Sequence, residues 1–181
     1  MRILFLGDMV GRAGREAVYE QLPGLIESQK ADFVIVNGEN AAGGFGITED
    51  IFNRTVEAGA DVVTTGNHVW DQKEALGVAD REDRFLRPAN FPSGTPGRGA
   101  YLYEARNGQR VMVMNIMGRA FIHPELDDPF ACVEQQLENV ELGQAADVIF
   151  IDFYFTFNSF LYLFDNDIVP TFLIIHINTF N

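Results

Sequence analysis

Three segments of this sequence repeat one plan, in which an apolar run is followed by a small polar cluster and then by a stretch with helical periodicity. The apolar runs are Ile3 to Leu6, Phe33 to Val36 and Val62 to Val63, and the clusters that follow them read GDMVG, NGENAAGG and TTGNHVWD. Strands that alternate with helices form βαβ units, whose strands lie parallel in a sheet. The sequence therefore predicts an α/β fold, built mainly from parallel βαβ units with the helices outside.

The segments between these runs carry the periodicity of helices. Apolar residues recur at helical spacing in GREAVYEQLPGLIESQK and in TEDIFNRTVEAG. Thr48 starts the second segment, where its hydroxyl can accept a backbone N–H, and Gly59 ends it, where a glycine commonly stops a helix. We therefore predict a helix over each segment, with Thr48 as the N-cap of the second.

The sequence from Pro88 to Phe153 predicts, in this order, a loop, a β-hairpin, a helix and a further strand. Asn107-Gly108 is a turn signal between GAYLYEA and QRVMVMNIMG, which together predict a β-hairpin. DDPFACVEQQLENV predicts a helix that begins near Asp127 or Asp128, and AADVIFIDF predicts the next strand. The long loop before the hairpin contains Pro88, Pro92 and Pro96.

Charge and composition narrow the classes of partner. The chain has 181 residues, of which 47% are hydrophobic, and a formal net charge of −13. Nucleic-acid affinity is largely supplied by Lys and Arg, so this charge disfavours DNA as a partner. The apolar run in MRILFLGD is too short for a signal peptide, and the one cysteine, Cys132, fits a reducing compartment. We expect a globular cytoplasmic protein that does not enter a membrane.

The composition changes abruptly from Ile151 to the C-terminus. This segment has no Gly, Ala, Lys, Arg or Glu, but it has seven phenylalanines and two tyrosines. Its residue types favour A/T-rich codons, whereas those upstream favour G/C-rich codons, which indicates a frameshifted or chimeric end. Aspartates and a proline interrupt it, so it does not predict a membrane span. We divide the chain into a domain over residues 1–150 and an anomalous aromatic-rich tail over residues 151–181.

Polar side chains follow each of the three apolar runs. Asp8 follows the first, Glu39 and Asn40 follow the second, and Asn67 and His68 follow the third. Ligands of an open parallel sheet lie beyond the carboxyl ends of its strands, so we expect these side chains to share one crevice. Carboxylate, amide and imidazole groups suit divalent metals such as Mn²⁺, Fe²⁺ or Zn²⁺. Because a carboxylate such as Glu39 can bridge two ions, the pattern suits phosphoryl chemistry at a pair of metals.

Most of these residues also have a purely structural interpretation. Asp8 can cap a helix, and Asn40 and Asn67 can support turns. His68 in TTGNHVWD can likewise cap a turn between a strand and the next element. Glu39 is harder to explain in this way, because a carboxylate directly after a buried strand needs a partner.

The first loop also suggests a different function. GDMVGRAG follows a strand as a dinucleotide-binding loop does, but it matches G-x-G-x-x-G poorly and would set Asp8 beside a pyrophosphate. Metal binding that requires Asp8 and Glu39 would distinguish a metal-dependent phosphoryl-transfer enzyme from this dinucleotide-binding domain.

Three motifs, LGDMVGRAGR, VNGENAAGGFGIT and TTGNHVWD, together resemble the YmdB-like branch of the calcineurin-like metallophosphoesterases. The resemblance covers about Met1 to Phe153 and includes RPANFP and NIMGRAFIHPELDDPF. It implies an α/β metallophosphoesterase sandwich, incomplete here at its C-terminus, and a bacterial enzyme that hydrolyses 2′,3′-cyclic nucleotides or related phosphodiesters. The implied cofactors are two divalent ions (Fe, Mn or Zn) in a dinuclear centre. The implied partners are a small phosphodiester substrate and, in a homo-oligomer, further copies of the chain.

The resemblance also implies a set of metal ligands. Asp8, Glu39 and Asn40 would hold the first metal ion. Glu39 would bridge to the second ion, to which Asn67 would belong.

The histidine of TTGNHVWD has a different implied role. His68 would lie beside the metals, where it would contact the phosphate or protonate the leaving oxygen. Imidazole is a common donor and acceptor of protons in such steps. Gly66 would let the chain turn so that Asn67 and His68 face the phosphate.

Two departures from the family pattern weaken the second metal site. Where the family has a metal-binding histidine, IDFYF has Tyr154. The paired histidines expected further on are represented by IIHIN alone, which leaves His176 as a further candidate metal ligand. We therefore expect either a phosphodiesterase, impaired in this form, or a non-catalytic binding module with the same fold.

Overall fold

Two four-stranded sheets form the centre of the protein. The first sheet comprises β1 (Ile3–Leu6), β2 (Phe33–Asn37), β3 (Val62–Thr64) and β4 (Phe85–Leu86). The second comprises β5 (Ala100–Glu104), β6 (Arg110–Met117), β7 (Val148–Phe155) and β8 (Leu173–Thr179). The helices are α1 (Gly11–Gln29), α2 (Glu49–Glu57), α3 (Glu74–Arg81) and α4 (Pro129–Leu137). The computed structural model describes residues 1–119, 125–138, 140–155 and 173–179, with the backbone alone for 155 and 173–179.

Strand pairing is parallel throughout the first sheet and mostly parallel in the second. In the first sheet the order is β1-β2-β3-β4, and each neighbouring pair is parallel. In the second, β5 is antiparallel to β6, while β6, β7 and β8 run parallel. This architecture confirms the predicted α/β sandwich of mainly parallel strands.

Successive side chains of β2 point to opposite faces of the first sheet. Phe33 and Ile35 of β2 lie between the two sheets, in a cluster with Phe150 of β7. Val34, between them in sequence, faces the other way and packs with residues of α1, α2 and α3. Cys132 of α4 packs on the outer face of the second sheet. Helices therefore cover both outer faces of the sandwich, as predicted.

Several helix and turn boundaries follow the local signals in the sequence. The Thr48 hydroxyl accepts the Ile51 N–H at 3.3 Å, and α2 ends just before Gly59, whose φ is +116°. Asp128 is the N-cap of α4, since its Oδ1 accepts two backbone N–H groups of the first turn. The predicted hairpin is formed by β5 and β6. In contrast, α1 begins at Gly11, earlier than its apolar periodicity indicated.

The proline-containing loop after β4 is organised by a buried arginine. Arg87 is 9% exposed, and its guanidinium donates to five backbone carbonyls of this loop. Burial lowers the pKa of Arg87, and the carbonyl oxygens compensate the buried donors. The expected loop is therefore ordered around one side chain.

The C-terminal part of the chain contributes the strands β7 and β8 to the second sheet. β7 runs across the predicted domain boundary at residue 150, and it pairs with β6 from Val148 to Tyr154. Residues 156–172, in the predicted tail, lie outside the described residues. In the described part of the chain, no helix has the length and apolar character needed to cross a bilayer.

Candidate active site

The carboxyl ends of β1, β2 and β3 bring the predicted site residues together. Asn40 donates its amide N–H to Asp8 Oδ1 at 2.8 Å, which joins the loops after β1 and β2. The Asn67 backbone N–H donates to Glu39 Oε1 at 3.1 Å, which joins the loops after β2 and β3. His68 is close enough to Asp8 to lower its pKa. All five residues that the sequence placed in one crevice thus lie at the same edge of the first sheet.

Asp8 lies in an unusual backbone conformation at the end of β1. Its φ is +25°, a value that few residues other than glycine adopt. Partial burial raises the pKa of Asp8, although the Asn40 hydrogen bond and the charge of His68 act in the opposite direction. α1 begins after Val10 with no side-chain cap, so Asp8 does not serve as the helix cap that its position also suggested.

Glu39 is the most strongly perturbed carboxylate of the site. It is fully buried, and its Oε2 has no hydrogen-bond partner among the described residues. Burial first, and then the negative charge of Asp8, raise the pKa of Glu39 to about 8. The backbone N–H of Asn67 offsets only part of this shift. A buried carboxylate with one unpaired oxygen is suited to bind a cation.

Gly66 provides the space that the Glu39 carboxylate occupies. A Cβ atom at residue 66 would lie 2.1 Å from Glu39 Oε2 and 2.3 Å from its Cδ, far inside contact distance. The backbone of Gly66 is not in the left-handed region. The expected reason for this glycine, freedom to turn, is therefore wrong, and the missing side chain is what the site requires.

Asn67 and His68 lie at the rim of the crevice, in the loop between β3 and α3. Asn67 Oδ1 is buried and has no partner among the described residues, so its amide oxygen is available to a ligand. His68 Nδ1 lies 2.6 Å from Asp71 Oδ2. Asp71 is the last residue of the TTGNHVWD motif, and no role was predicted for it from the sequence. The contact shows that the carboxylate orients the imidazole.

The second sheet contributes a buried carboxylate that the sequence analysis did not assign to the site. Asp152 of β7 is fully buried, and its Oδ2 accepts from Asn37 Nδ2 at 2.8 Å and from Thr64 Oγ1 at 2.6 Å. Its Oδ1 has no partner among the described residues. Burial raises the pKa of Asp152 to about 6. An aspartate inside the apolar strand AADVIFIDF was the available signal, because such a carboxylate needs partners.

Tyr154 reaches the site from the same strand. It is 4% exposed and shares a cluster with residues of the first sheet and its helices. Burial, the charges of Glu39 and Asp8, and a side-chain hydrogen bond with Glu39 all raise the pKa of Tyr154. The residue that replaces the expected histidine thus acts on Glu39 as a neutral phenol.

The donor set fits a divalent cation only if amides contribute. No three His, Cys, Asp or Glu side chains in the described ranges lie close enough to hold a metal by themselves. Glu39, Asn67 and Asp152 nevertheless each keep a buried side-chain oxygen without a partner among the described residues. Burial, together with the charge of Asp8, raises the pKa of both Glu39 and Asp152. In the structure the Asn40 amide nitrogen faces Asp8. A rotation of the Asn40 amide group by 180° would place its oxygen there instead, where it could bind a cation. Oxygen donors of this kind suit a hard or intermediate divalent ion.

His176, the remaining candidate ligand, lies in β8. The parallel register of β7 and β8 sets the backbone of His176 opposite that of Asp152. Its side chain lies outside the described residues, so its role as a ligand stays a prediction.

Comparison with known families establishes the relationship of this chain. Residues 4–159 match the family described as YmdB-like protein. The chain belongs to the YmdB-like family. The 2′,3′-cyclic-nucleotide 2′-phosphodiesterase of Bacillus subtilis is 47% identical to it over 154 residues, which cover 85% of this chain and 57% of the relative.

Two solved structures resemble this YmdB-like chain in fold and sequence. A hypothetical protein from Thermus thermophilus matches with a TM-score of 0.77 and 39% identity, over 85% of this chain and 57% of that one. A novel phosphatase from Mycoplasma pneumoniae matches with a TM-score of 0.75 and 29% identity, over 84% and 54%. The chain therefore spans somewhat more than half the length of the relatives that it matches.

Proposed function

We propose that this chain carries a metal-dependent phosphodiesterase site that hydrolyses 2′,3′-cyclic nucleotides or related phosphodiesters. The observation that carries the proposal is Glu39, a fully buried carboxylate with an unpaired oxygen, next to Asp8. A buried negative charge without a cation is costly, so a bound cation would stabilise this arrangement. The name of the B. subtilis relative supports the class of substrate.

Asp8, Glu39 and Asn40 would hold one divalent ion, and Glu39 and Asn67 would contribute to a second. When bound there, divalent ions would supply positive charge that stabilises the phosphate and activates water. The role of the surrounding residues is to hold these ligands in position. Gly66 leaves room for Glu39, and the Asn67 backbone N–H holds Glu39 Oε1 in place.

His68 would transfer a proton to the leaving oxygen. Its Nδ1 faces Asp71, so in the protonated imidazole the Nδ1 proton is held by Asp71 and the Nε2 proton is the one that would pass to the leaving oxygen, which leaves His68 neutral. His68 lies at the rim of the crevice, partly exposed, where a phosphodiester can approach it. A general acid in this position is expected to contribute about 10²-fold or more to the rate.

The test is metal content and hydrolysis of bis-p-nitrophenyl phosphate by the purified 181-residue chain. Asp8→Ala and Glu39→Ala should abolish both metal binding and turnover. Glu57→Ala, at an exposed acid of α2, is the matched control and should change neither. A folded chain without metal and without turnover would overturn the proposal.

A non-catalytic binding module with the same fold is the second candidate function. Tyr154 favours it, because a phenol hydrogen-bonded to Glu39 takes the place where the family pattern has a metal-binding histidine. Stoichiometric binding of one metal, with no hydrolysis of phosphodiesters, would support this candidate over the enzyme.

A further inference from the structure

Phe45 is a large aromatic side chain that is 59% exposed beside the candidate active site. Its ring centroid lies 5.7 Å from that of His68, and the two ring planes meet at 79°. His68 is the residue to which we assign proton transfer, so Phe45 lies at the rim of the same crevice. Its ring therefore presents apolar surface next to His68.

The loop that carries Phe45 is held in a fixed position relative to His68. The Ala42 N–H donates to the Gly46 carbonyl at 2.7 Å, which closes the loop on itself. Gln72 Nε2 donates to the Phe45 carbonyl at 2.6 Å. A Cβ atom at Gly46 would lie 2.5 Å from the His68 carbonyl oxygen, so the loop packs directly against the His68 backbone. The exposed ring is thus mounted on a loop whose own backbone is anchored.

The space beside this loop is open. A Cβ atom at Gly43 or at Gly44 would meet no atom within 4 Å. The surface of the loop at these two glycines is therefore free of neighbouring protein atoms, next to the exposed ring of Phe45.

We propose that Phe45 is a stacking platform for the nucleobase of the substrate. This inference rests on the proposed phosphodiesterase function, and it adds that the site prefers nucleoside phosphodiesters to those without a base. An aromatic ring stacks on any base, so the platform recognises nucleotides without selecting one base. The protein's formal charge of −13 opposes binding of an anionic phosphate, and stacking of the uncharged base supplies affinity that the charges do not.

The experiment compares substrates with and without a base on the manganese-loaded 181-residue chain. The substrates are 2′,3′-cyclic AMP and ribose 2′,3′-cyclic phosphate. In Phe45→Ala, KM for 2′,3′-cyclic AMP should rise about tenfold, with kcat within about twofold of the original. KM for ribose 2′,3′-cyclic phosphate should stay unchanged, and Phe45→Trp should restore the original KM for the nucleotide.

Phe130→Ala is the matched control. Phe130 is also a phenylalanine with an exposed ring (43%), but it lies on α4, on the outer face of the second sheet, against Phe153. This variant should leave KM for both substrates unchanged. An equal rise of KM for both substrates in Phe45→Ala, or no rise for either, would overturn the stacking role.

A binding measurement keeps the two proposals separable. Calorimetry with adenosine 3′-monophosphate should give about tenfold weaker binding to Phe45→Ala than to the unmodified chain or to Phe130→Ala. If the chain hydrolyses neither substrate but shows this difference, the phosphodiesterase proposal fails and the stacking role stands. Equal binding by all three proteins would refute the stacking role itself.

Discussion

His68 Nδ1 lies 2.6 Å from Asp71 Oδ2, and both side chains are partly exposed at the rim of the candidate active site. A carboxylate at this distance accepts the Nδ1 proton, so it fixes both the tautomer and the ring orientation of the imidazole. The other nitrogen, Nε2, is then directed away from Asp71. Asp71 is therefore a positioning residue for the proton transfer that we assign to His68.

Removing this carboxylate should lower turnover without weakening substrate binding. Asp71→Ala is expected to reduce kcat for bis-p-nitrophenyl phosphate about tenfold or more, because a free imidazole loses orientation and part of its general-acid contribution. Asp71→Asn keeps an oxygen that can accept the Nδ1 proton, so its loss should be smaller. Steady-state kinetics should show the effect in kcat, with KM little changed. A rise in KM at constant kcat would instead assign Asp71 to substrate binding.

The pH dependence of metal binding should follow Glu39. Burial raises the pKa of Glu39 to about 8, and a metal ion binds the ionised carboxylate, so protons compete with the metal below that pH. Affinity for Mn²⁺ should therefore fall by up to about tenfold per pH unit as the pH drops below 8. Calorimetric titrations at pH 6.5, 7.5 and 8.5 would measure it, with Glu57→Ala as control. An affinity for Mn²⁺ that does not change over this range would contradict the prediction.

The same shift gives the metal-free protein an opposite pH dependence of stability. The folded-state pKa of Glu39 lies above the unfolded value, so folding takes up a proton between the two values. The free energy of unfolding should therefore be larger below about pH 4.5 and decrease as the pH rises towards 8, as far as Glu39 contributes. Asp8 and Asp152 are shifted in the same direction. In urea unfolding, the free energy of unfolding of Glu39→Gln should decrease less between pH 4.5 and pH 8 than that of the unmodified chain.

Gly66→Ala should disrupt the site although glycine and alanine are close in size. The new Cβ would lie 2.1 Å from Glu39 Oε2, so the carboxylate or the backbone must move. We expect a loss of about 1–3 kcal/mol in stability, together with weaker metal binding. Gly24→Ala in α1 is the matched control, since its Cβ would meet no atom within 4 Å and alanine favours helix. Equal metal affinities in the two variants would show that the Glu39 pocket tolerates a methyl group.

The sequence predicted the part of the site that depends on local order along the chain. Asp8, Glu39 and Asn67 each follow a strand of one parallel sheet, and adjacent parallel strands end at the same edge, so their convergence could be inferred. Asp152 could not be placed in this way, because its contacts with Asn37 and Thr64 depend on how the second sheet packs on the first. Packing of this kind has no periodic signal in the sequence.

Local sequence signals also explain which helices and strands the sequence predicted. The β5–β6 hairpin was predicted, whereas α3 and β4 were not. The β5–β6 hairpin has a strong turn signal, whereas α3 is short and contains Gly77, and β4 is a two-residue strand. Short elements gain most of their stability from tertiary contacts, so their own residues specify them weakly. The role of Gly66 was misread for a related reason, since a clash with a side chain from another loop leaves no trace in local sequence.

Asp152 should show how much the buried hydrogen bonds between the sheets contribute to stability. Asp152→Ala leaves the Asn37 amide and the Thr64 hydroxyl without their shared acceptor, and it should cost about 2–4 kcal/mol at pH 5. Asp152→Asn keeps an acceptor oxygen and should cost less.

The difference between Asp152→Asn and the unmodified metal-free chain should also depend on pH. Burial raises the pKa of Asp152 to about 6, so the unmodified chain loses stability as the pH rises through that value and the buried carboxylate ionises. The amide of Asp152→Asn cannot ionise. The free energy of unfolding of this variant, relative to that of the unmodified chain, should therefore increase between pH 5 and pH 7.5. Urea unfolding of both proteins at the two pH values would measure this increase. If the stability difference is the same at both, Asp152 is already ionised at pH 5, and the Asn37 and Thr64 hydrogen bonds outweigh the effect of burial.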